Sequence, residues 1–212
     1  MAAPVVIVGS GLAGWTVARE LRKLDAAVPI VLVTASPGHF YAKPTLSNAL
    51  ALARTPAQIV TTPAEQMATA SGVTLLAETT VTGIDAVAHT VSLSDGQTLA
   101  YRDLVLANGA QPIVLPMAGN AAQRVYRVNH LEDYAGFHAA LGEAPKRVLV
   151  IGAGLIGCEF ANDLVTGGHQ VSVVDPAPRP LASLLPPEAG AGLQTALAEA
   201  GVVWRFGTSV VS

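Results

Sequence analysis

"VVIVGSGLAG" (residues 5–14) and "VLVIGAGLIG" (residues 148–157) are two copies of one pattern. Each is a four-residue apolar run followed by Gly-x-Gly-x-x-Gly: Gly9, Gly11 and Gly14 in the first, Gly152, Gly154 and Gly157 in the second. An apolar run of that length reads as a strand buried on both faces. The first glycine makes a tight turn, the second lets backbone approach a pyrophosphate, and the third lets a helix pack against the strand. The helix N-terminus then offers free N–H groups and a positive dipole end to phosphate. Glycine-rich turns are common, so context decides. A helix pattern follows each copy (Leu12 to Leu24, Leu155 to Val165), and then another strand (Ile30–Val33, Val171–Val174). Two such units in one chain predict two nucleotide-binding domains rather than two idle turns in a sheet.

The repeat extends further. "GVTLLAETTVTGID" begins at Gly72 and "GVVWRFGTSVVS" at Gly201, 63 residues after Gly9 and 49 after Gly152. The first copy is longer by 14 residues, and the surplus falls in or near residues 36–60. After it come short strand signals at Thr80–Ile84, Val91–Leu93 and Thr98–Tyr101, with "SDGQ" as a turn, then a buried strand at Leu104–Ala107. The second copy reaches Ser212 where its own strand cluster is due, so the expectation is a chain that ends mid-domain. The predicted fold class is α/β: two Rossmann-like domains with central parallel sheets and a small antiparallel β-meander, the second domain incomplete.

Composition narrows the function classes. Of 212 residues, 51% are apolar and 13% charged, which fits buried strands rather than a disordered chain. No heptad or longer helical repeat persists. A net charge of −3 suggests no nucleic-acid footprint. No apolar run has membrane-spanning length, and no signal region precedes the first strand, so no membrane association is expected. Cys158 is the single cysteine, and a reducing, cytoplasmic setting is the default expectation. His39, His89, His130, His138 and His169 are scattered without metal-ligand spacing, and no metal site is expected.

The two units differ where a ribose would be held. Asp175 ends the second unit's second strand, 18 residues after Gly157. A carboxylate there binds ribose hydroxyls and repels a 2′-phosphate, favouring NADH. It also reads as a strand-end turn residue before Pro176, and nearby Arg179 has the chemistry to meet a phosphate. The first unit has Thr34-Ala35-Ser36 at the matching place, with no carboxylate, which suits a different nucleotide.

"YAKPTLS" (41–47), "LVLANGAQP" (104–112), "GAGLIGCEFANDL" (152–164) and "RELRKLDAAVPIVLVTA" (19–35), with the two glycine units, carry a resemblance that runs through nearly the whole chain. The chain resembles the two-dinucleotide-binding flavoprotein reductases of the pyridine nucleotide-disulfide oxidoreductase type, and within them the rubredoxin-reducing branch of alkane oxidation. The resemblance implies an FAD domain in residues 1–112 and an incomplete NAD domain in residues 113–212. It also implies that the rest of the FAD domain and an interface domain lie beyond residue 212. It places FAD against Gly9, Ser10, Gly11, Leu12, Ala13, Gly14, Thr34, Ala35, Lys43, Val81, Gly109 and Glu159. It places NADH against Gly152, Gly154, Leu155, Ile156, Gly157 and Asp175.

On spacing alone Lys43 is a solvated loop lysine. Pro44 biases Ala42 and Lys43 away from helix. The resemblance instead sets the Lys43 ammonium beside flavin N5 and pairs it, within about 4 Å or through one water, with Glu159. Glu159 is expected in the first turn of the second nucleotide-binding helix, where the dipole alone would justify an acid. Cys158 reads as a small core residue. The basic residues Arg19, Arg22 and Lys23 read as a solvated helix face and dipole partners rather than as a docking patch. The implied activity passes electrons from NADH through FAD to rubredoxin. The alternatives are a ferredoxin reductase of an oxygenase system and, outside enzymes, a nucleotide-binding fragment without activity.

Overall fold

The structure, a computed structural model, describes residues 3–211. The first half of the chain runs β1 (Val5–Val8), α1 (Leu12–Leu24) and β2 (Ile30–Val33), then a 3-10 turn (Lys43–Ser47) and the short α2 (Pro56–Ile59). It continues through α3 (Ala64–Ser71), β3 (Thr74–Leu76), β4 (Val81–Asp85), β5 (Thr90–Leu93), β6 (Thr98–Ala100) and β7 (Asp103–Leu106). The second half holds α4 (Leu131–Leu141), β8 (Arg147–Ile151), α5 (Leu155–Thr166), β9 (Gln170–Asp175), α6 (Pro187–Glu199) and β10 (Val203–Phe206). Packing divides these into two units. One holds the residues up to Lys43 with Val60–Gln111; the other holds Pro44–Ile59 with the residues from Pro112 onward. The segment 44–59 therefore packs with the second unit, although the sequence reading ran the first domain unbroken to residue 112.

In the first unit β1 lies at the centre of a parallel sheet ordered β3-β2-β1-β7, with Val5 level with Ile30 on one side and Asp103 on the other. Its alternate side chains face opposite layers. Val5 and Ile7 join Trp15, Ala18 and Met67 under the helices; Val6 joins Val33, Val91, Leu93 and Tyr101 under the antiparallel meander β4-β5-β6. That is why "VVIV" has no polar position. The meander turns at Asp95-Gly96, where the Asp95 carboxylate accepts the Gln97 amide at 2.9 Å.

Arg22 has a specific task. Its guanidinium donates to the carbonyls of Ser71 (3.1 Å), Gly72 (2.7 Å), Asp25 (3.2 Å) and Ala26 (2.9 Å), closing the C-terminal ends of α1 and α3 together. Lys23 pairs with Glu20 at 2.7 Å. Two of the three residues in the basic cluster are thus occupied within the fold.

The second unit repeats the plan with three parallel strands ordered β10-β9-β8. One sheet face packs Val171 and Val173 beneath α5 and its neighbours. The other, bearing Arg147, Leu149, Gln170, Ser172, Val203 and Arg205, is open; Leu149 is 51% exposed and Val203 52%.

Candidate functional site

Both glycine turns have the expected geometry. Gly9 and Gly152 have φ of 108° and 106°, a conformation that L side chains rarely adopt. A methyl group on Gly14 would strike the carbonyl of Gly9, and one on Gly157 the carbonyl of Gly152. The third glycine of each unit therefore sets how closely helix approaches turn. The middle glycines are different: nothing lies within 4 Å of a side chain built on Gly11 or Gly154. That open approach is what a bound pyrophosphate requires.

The helix ends agree. Glu65 in α3, Glu132 and Asp133 in α4, and Glu188 in α6 put carboxylates in the first turns, where they meet the positive dipole end. The first turns of α1 and α5 have no acid, and their cap positions make no side-chain hydrogen bond. Their N–H groups remain for an outside anion. On both observations the residues present fit two dinucleotides.

At the tip of the first sheet the missing carboxylate is replaced by three hydroxyls. Ser10 Oγ lies 2.9 Å from Thr34 Oγ1 and 3.3 Å from Ser36 Oγ; Thr34 and Ser36 are 3.1 Å apart. Ser10 and Thr34 are buried. Ala35, Leu12 and Ala13 are exposed beside them. Gly109, at φ 69°, lies just past β7, and Val81 opens β4. Trp15 Nε1 donates to the Gly38 carbonyl at 3.1 Å and ties down the loop leaving β2.

At the tip of the second sheet both Asp175 oxygens are engaged. Oδ2 accepts the Ala153 amide inside the glycine turn at 2.6 Å, and Oδ1 the Ala177 amide at 2.7 Å. Asp175 is thus a clasp on the glycine turn. Arg179 turns elsewhere, donating to the carbonyls of Ala182 (3.2 Å) and Leu185 (3.1 Å). Leu155 and Ile156, each 56% exposed, flank the open approach at Gly154. Cys158 is buried, its Sγ 3.5 Å from the Ala153 carbonyl. Burial pushes the thiol pKa up, and the charges of Asp175 and Glu159 push it the same way.

Two expectations need correction. Glu159 lies outside the first turn of α5, because the helix starts at Leu155, directly after Gly154, and that first turn has no acid. Its reason for being there is a neighbour: Ser47 Oγ donates to Glu159 Oε2 at 2.5 Å and reaches the Pro44 carbonyl at 3.1 Å. Lys43 is helical rather than extended. It opens the 3-10 turn, where Pro44 is tolerated because a first-turn N–H has no helical partner to lose. Lys43 belongs to the first unit and Glu159 to the second.

Ser47 and Asp163 do not stand out in the sequence; the Asp163 carboxylate accepts the amides of Leu50 (3.2 Å) and Ala51 (2.7 Å). The only signal for Asp163 was an acid four residues after Glu159, on the same helix face. Among the described residues no group of three or more His, Cys, Asp or Glu is placed to hold a metal, and no helix is long and apolar enough to cross a membrane.

Over residues 3–212 the sequence matches the family described as pyridine nucleotide-disulphide oxidoreductase. The chain is 46% identical over 211 residues to the rubredoxin-NAD(+) reductase of Acinetobacter baylyi, covering 98% of this chain and 54% of that protein. With the enzyme of the same description from Alcanivorax borkumensis it shares 44% identity over 204 residues, covering 96% and 53%. A solved relative, the reductase of a covalent putidaredoxin reductase–putidaredoxin complex, superimposes with a TM-score of 0.88 at 34% identity, covering 99% of this chain and 51% of that one. The chain spans about half the length of the curated relatives it matches.

Proposed function

The chain belongs to the pyridine nucleotide-disulphide oxidoreductase family, and from that premise we propose that it is the nucleotide-binding part of a cytoplasmic NADH-dependent flavoprotein reductase that delivers electrons to rubredoxin in alkane hydroxylation. The observation that carries this reading is the pair of glycine turns, each open at its middle glycine and each leading into an acid-free helix end. The FAD that these residues would hold would supply the redox chemistry, two-electron uptake from NADH and one-electron delivery to a small iron protein.

The rest is positioning. Gly9, Ser10, Gly11, Leu12, Ala13 and Gly14 cradle the FAD pyrophosphate. Thr34 and Ala35 hold its ribose through hydroxyl and backbone, and Val81 and Gly109 border it. Gly152, Gly154, Leu155, Ile156 and Gly157 receive the NADH pyrophosphate, and Asp175 discriminates against a 2′-phosphate. With FAD bound, the Lys43 ammonium would be the group to hydrogen-bond the flavin and favour its electron-rich form. Glu159 helps orient the nicotinamide. A double-mutant cycle on Lys43 and Glu159, read by the rate of flavin reduction, measures their coupling. The chain has one cysteine and that one is buried, so these residues supply no disulfide to accept the electrons. On this reading the acceptor is a separate small iron protein.

The test uses the complete protein with NADH and a choice of acceptors. NADH bleaches the yellow flavin, and rubredoxin is reduced far faster than ferredoxin, glutathione disulfide or peroxide. A preference for ferredoxin would make the protein a ferredoxin reductase, and a colourless protein that binds NADH would make it a nucleotide-binding module.

A further inference from the structure

The α5 helix meets the segment 44–59 along a single stripe. Glu159, Asp163 and Gly167 are spaced four residues apart and lie on one face. Each meets the segment in step: Glu159 takes the Ser47 hydroxyl, Asp163 takes the Leu50 and Ala51 amides, and Gly167 lies against Leu50. A methyl group on Gly167 would sit 3.3 Å from Leu50 Cβ, so glycine there lets the two backbones draw close. The segment is itself held in turns, with Ala53 N donating to the Leu50 carbonyl and Arg54 N to that of Ala49.

Asp163 is the unusual member. It is 1% exposed, and among the described residues no cation pairs with it. Burial pushes its carboxyl above the ordinary carboxylate value, against the pull of its two amide hydrogen bonds. The Tyr134 hydroxyl nearby is buried without a hydrogen-bond partner among the described residues, and its phenol pKa is pushed up to about 12, first by burial and then by the Asp163 charge. A buried, unpaired carboxylate is a poor way to gain stability. Groups kept in spite of that cost cluster at functional sites.

We infer that Asp163 is a positioning residue: by holding the Leu50 and Ala51 amides it fixes the segment's register along α5 and seats Ser47 on Glu159, and through Glu159 it sets the geometry of electron transfer from NADH. The last step rests on the proposed function; the grip on the segment does not.

The experiment uses the FAD-loaded complete protein and the variants D163A, D163N and E159Q, with three readouts. These are hydrogen exchange at the Leu50 and Ala51 amides, the thermal midpoint, and the stopped-flow rate of flavin bleaching by NADH. In D163A both amides exchange about tenfold faster or more. Bleaching slows about ten- to hundredfold, while NADH affinity stays within about twofold. D163N keeps one carbonyl oxygen, so only one amide is freed and bleaching slows less. Its midpoint does not fall, because no buried charge remains to be desolvated. E159Q also slows bleaching.

Freed amides with an unchanged bleaching rate would overturn the inference, as would slowed bleaching with both amides still protected. A D163N midpoint that drops in step with the rate would make Asp163 a purely structural residue. Slow bleaching in D163A with normal bleaching in E159Q would show that Glu159 is not the route. If D163A does not fold, D163N decides alone, and no change at either amide refutes the grip. If the unmodified protein itself is not bleached by NADH, the functional reading has failed, and amide exchange still decides whether Asp163 holds the segment.

Discussion

The tips of the two parallel sheets share a backbone and differ in chemistry. In the first unit β7 lies beside β1, and a side chain on Gly9 would run into the Ala107 carbonyl. In the second, β8 is an edge strand among the described residues, and none of them lies within 4 Å of the same position on Gly152. At the neighbouring strand end, three hydroxyls bond one another in the first unit, whereas a carboxylate clasps its own glycine turn in the second. On the proposed function, the glycines serve a need common to any pyrophosphate, and the strand-end residues, where the copies diverge, choose which nucleotide each turn accepts.

The strongest challenge to that division is Gly14→Val set against Gly157→Val. Both side chains meet the carbonyl of the first glycine, so each unit should lose about 3 kcal/mol, at the upper end of overpacking costs, in denaturant unfolding. Tolerance in one unit alone would show that the turns are not equivalent. Next comes the far end of the helices. The Arg22→Ala change removes four hydrogen bonds to carbonyls and should cost the first unit about 2 kcal/mol by the same measurement. Lys23→Ala, which breaks an exposed pair, should leave the transition where it was.

The strand-end contrast is probed by Asp175→Asn in the complete protein. Losing the charge should shrink the ratio of kcat/KM for NADH over NADPH about tenfold, the equivalent of ~1.4 kcal/mol. Arg179→Ala should leave the ratio alone, since that guanidinium is held by the carbonyls of Ala182 and Leu185. The smallest effect belongs to Cys158. Its folded thiol keeps its proton above the ordinary value of 9.0, so the reactive thiolate is scarce and iodoacetamide at pH 8 should label it only after unfolding. The stability this group contributes is present below pH 9.0 and lost as pH rises through the higher folded pKa; Cys158→Ala should remove that decline.

Local pattern was enough for the elements that local pattern creates. The strand Val5–Val8, the helix Leu12–Leu24 and the strand Ile30–Val33 have the bounds read from their apolar runs and glycines. Glu159 was misplaced by a turn because the count began at Gly157; Gly11 caps α1 in the first copy, and the same rule makes Gly154 the cap of α5. Lys43 was read as extended because the bias before a proline was applied without allowing for a proline inside a helix's opening turn. Arg22 was legible as a basic residue near a helix end, but its targets at Ser71 and Gly72 lie 49 and 50 residues away. No periodicity encodes such partners, and the same holds for Ser47 with Glu159.

The seam between residues 47–51 and α5 also sets an order of events in time. Ser47 and Glu159 are 112 residues apart in the chain. At ribosomal speed, the segment emerges roughly 6–20 s before the helix that receives it has been made. Ser47, Leu50 and Ala51 spend that interval without the Glu159 and Asp163 carboxylates that take their hydrogen bonds. The seam can therefore close only after the ribosome has passed Asp163, and the second unit cannot finish folding before then.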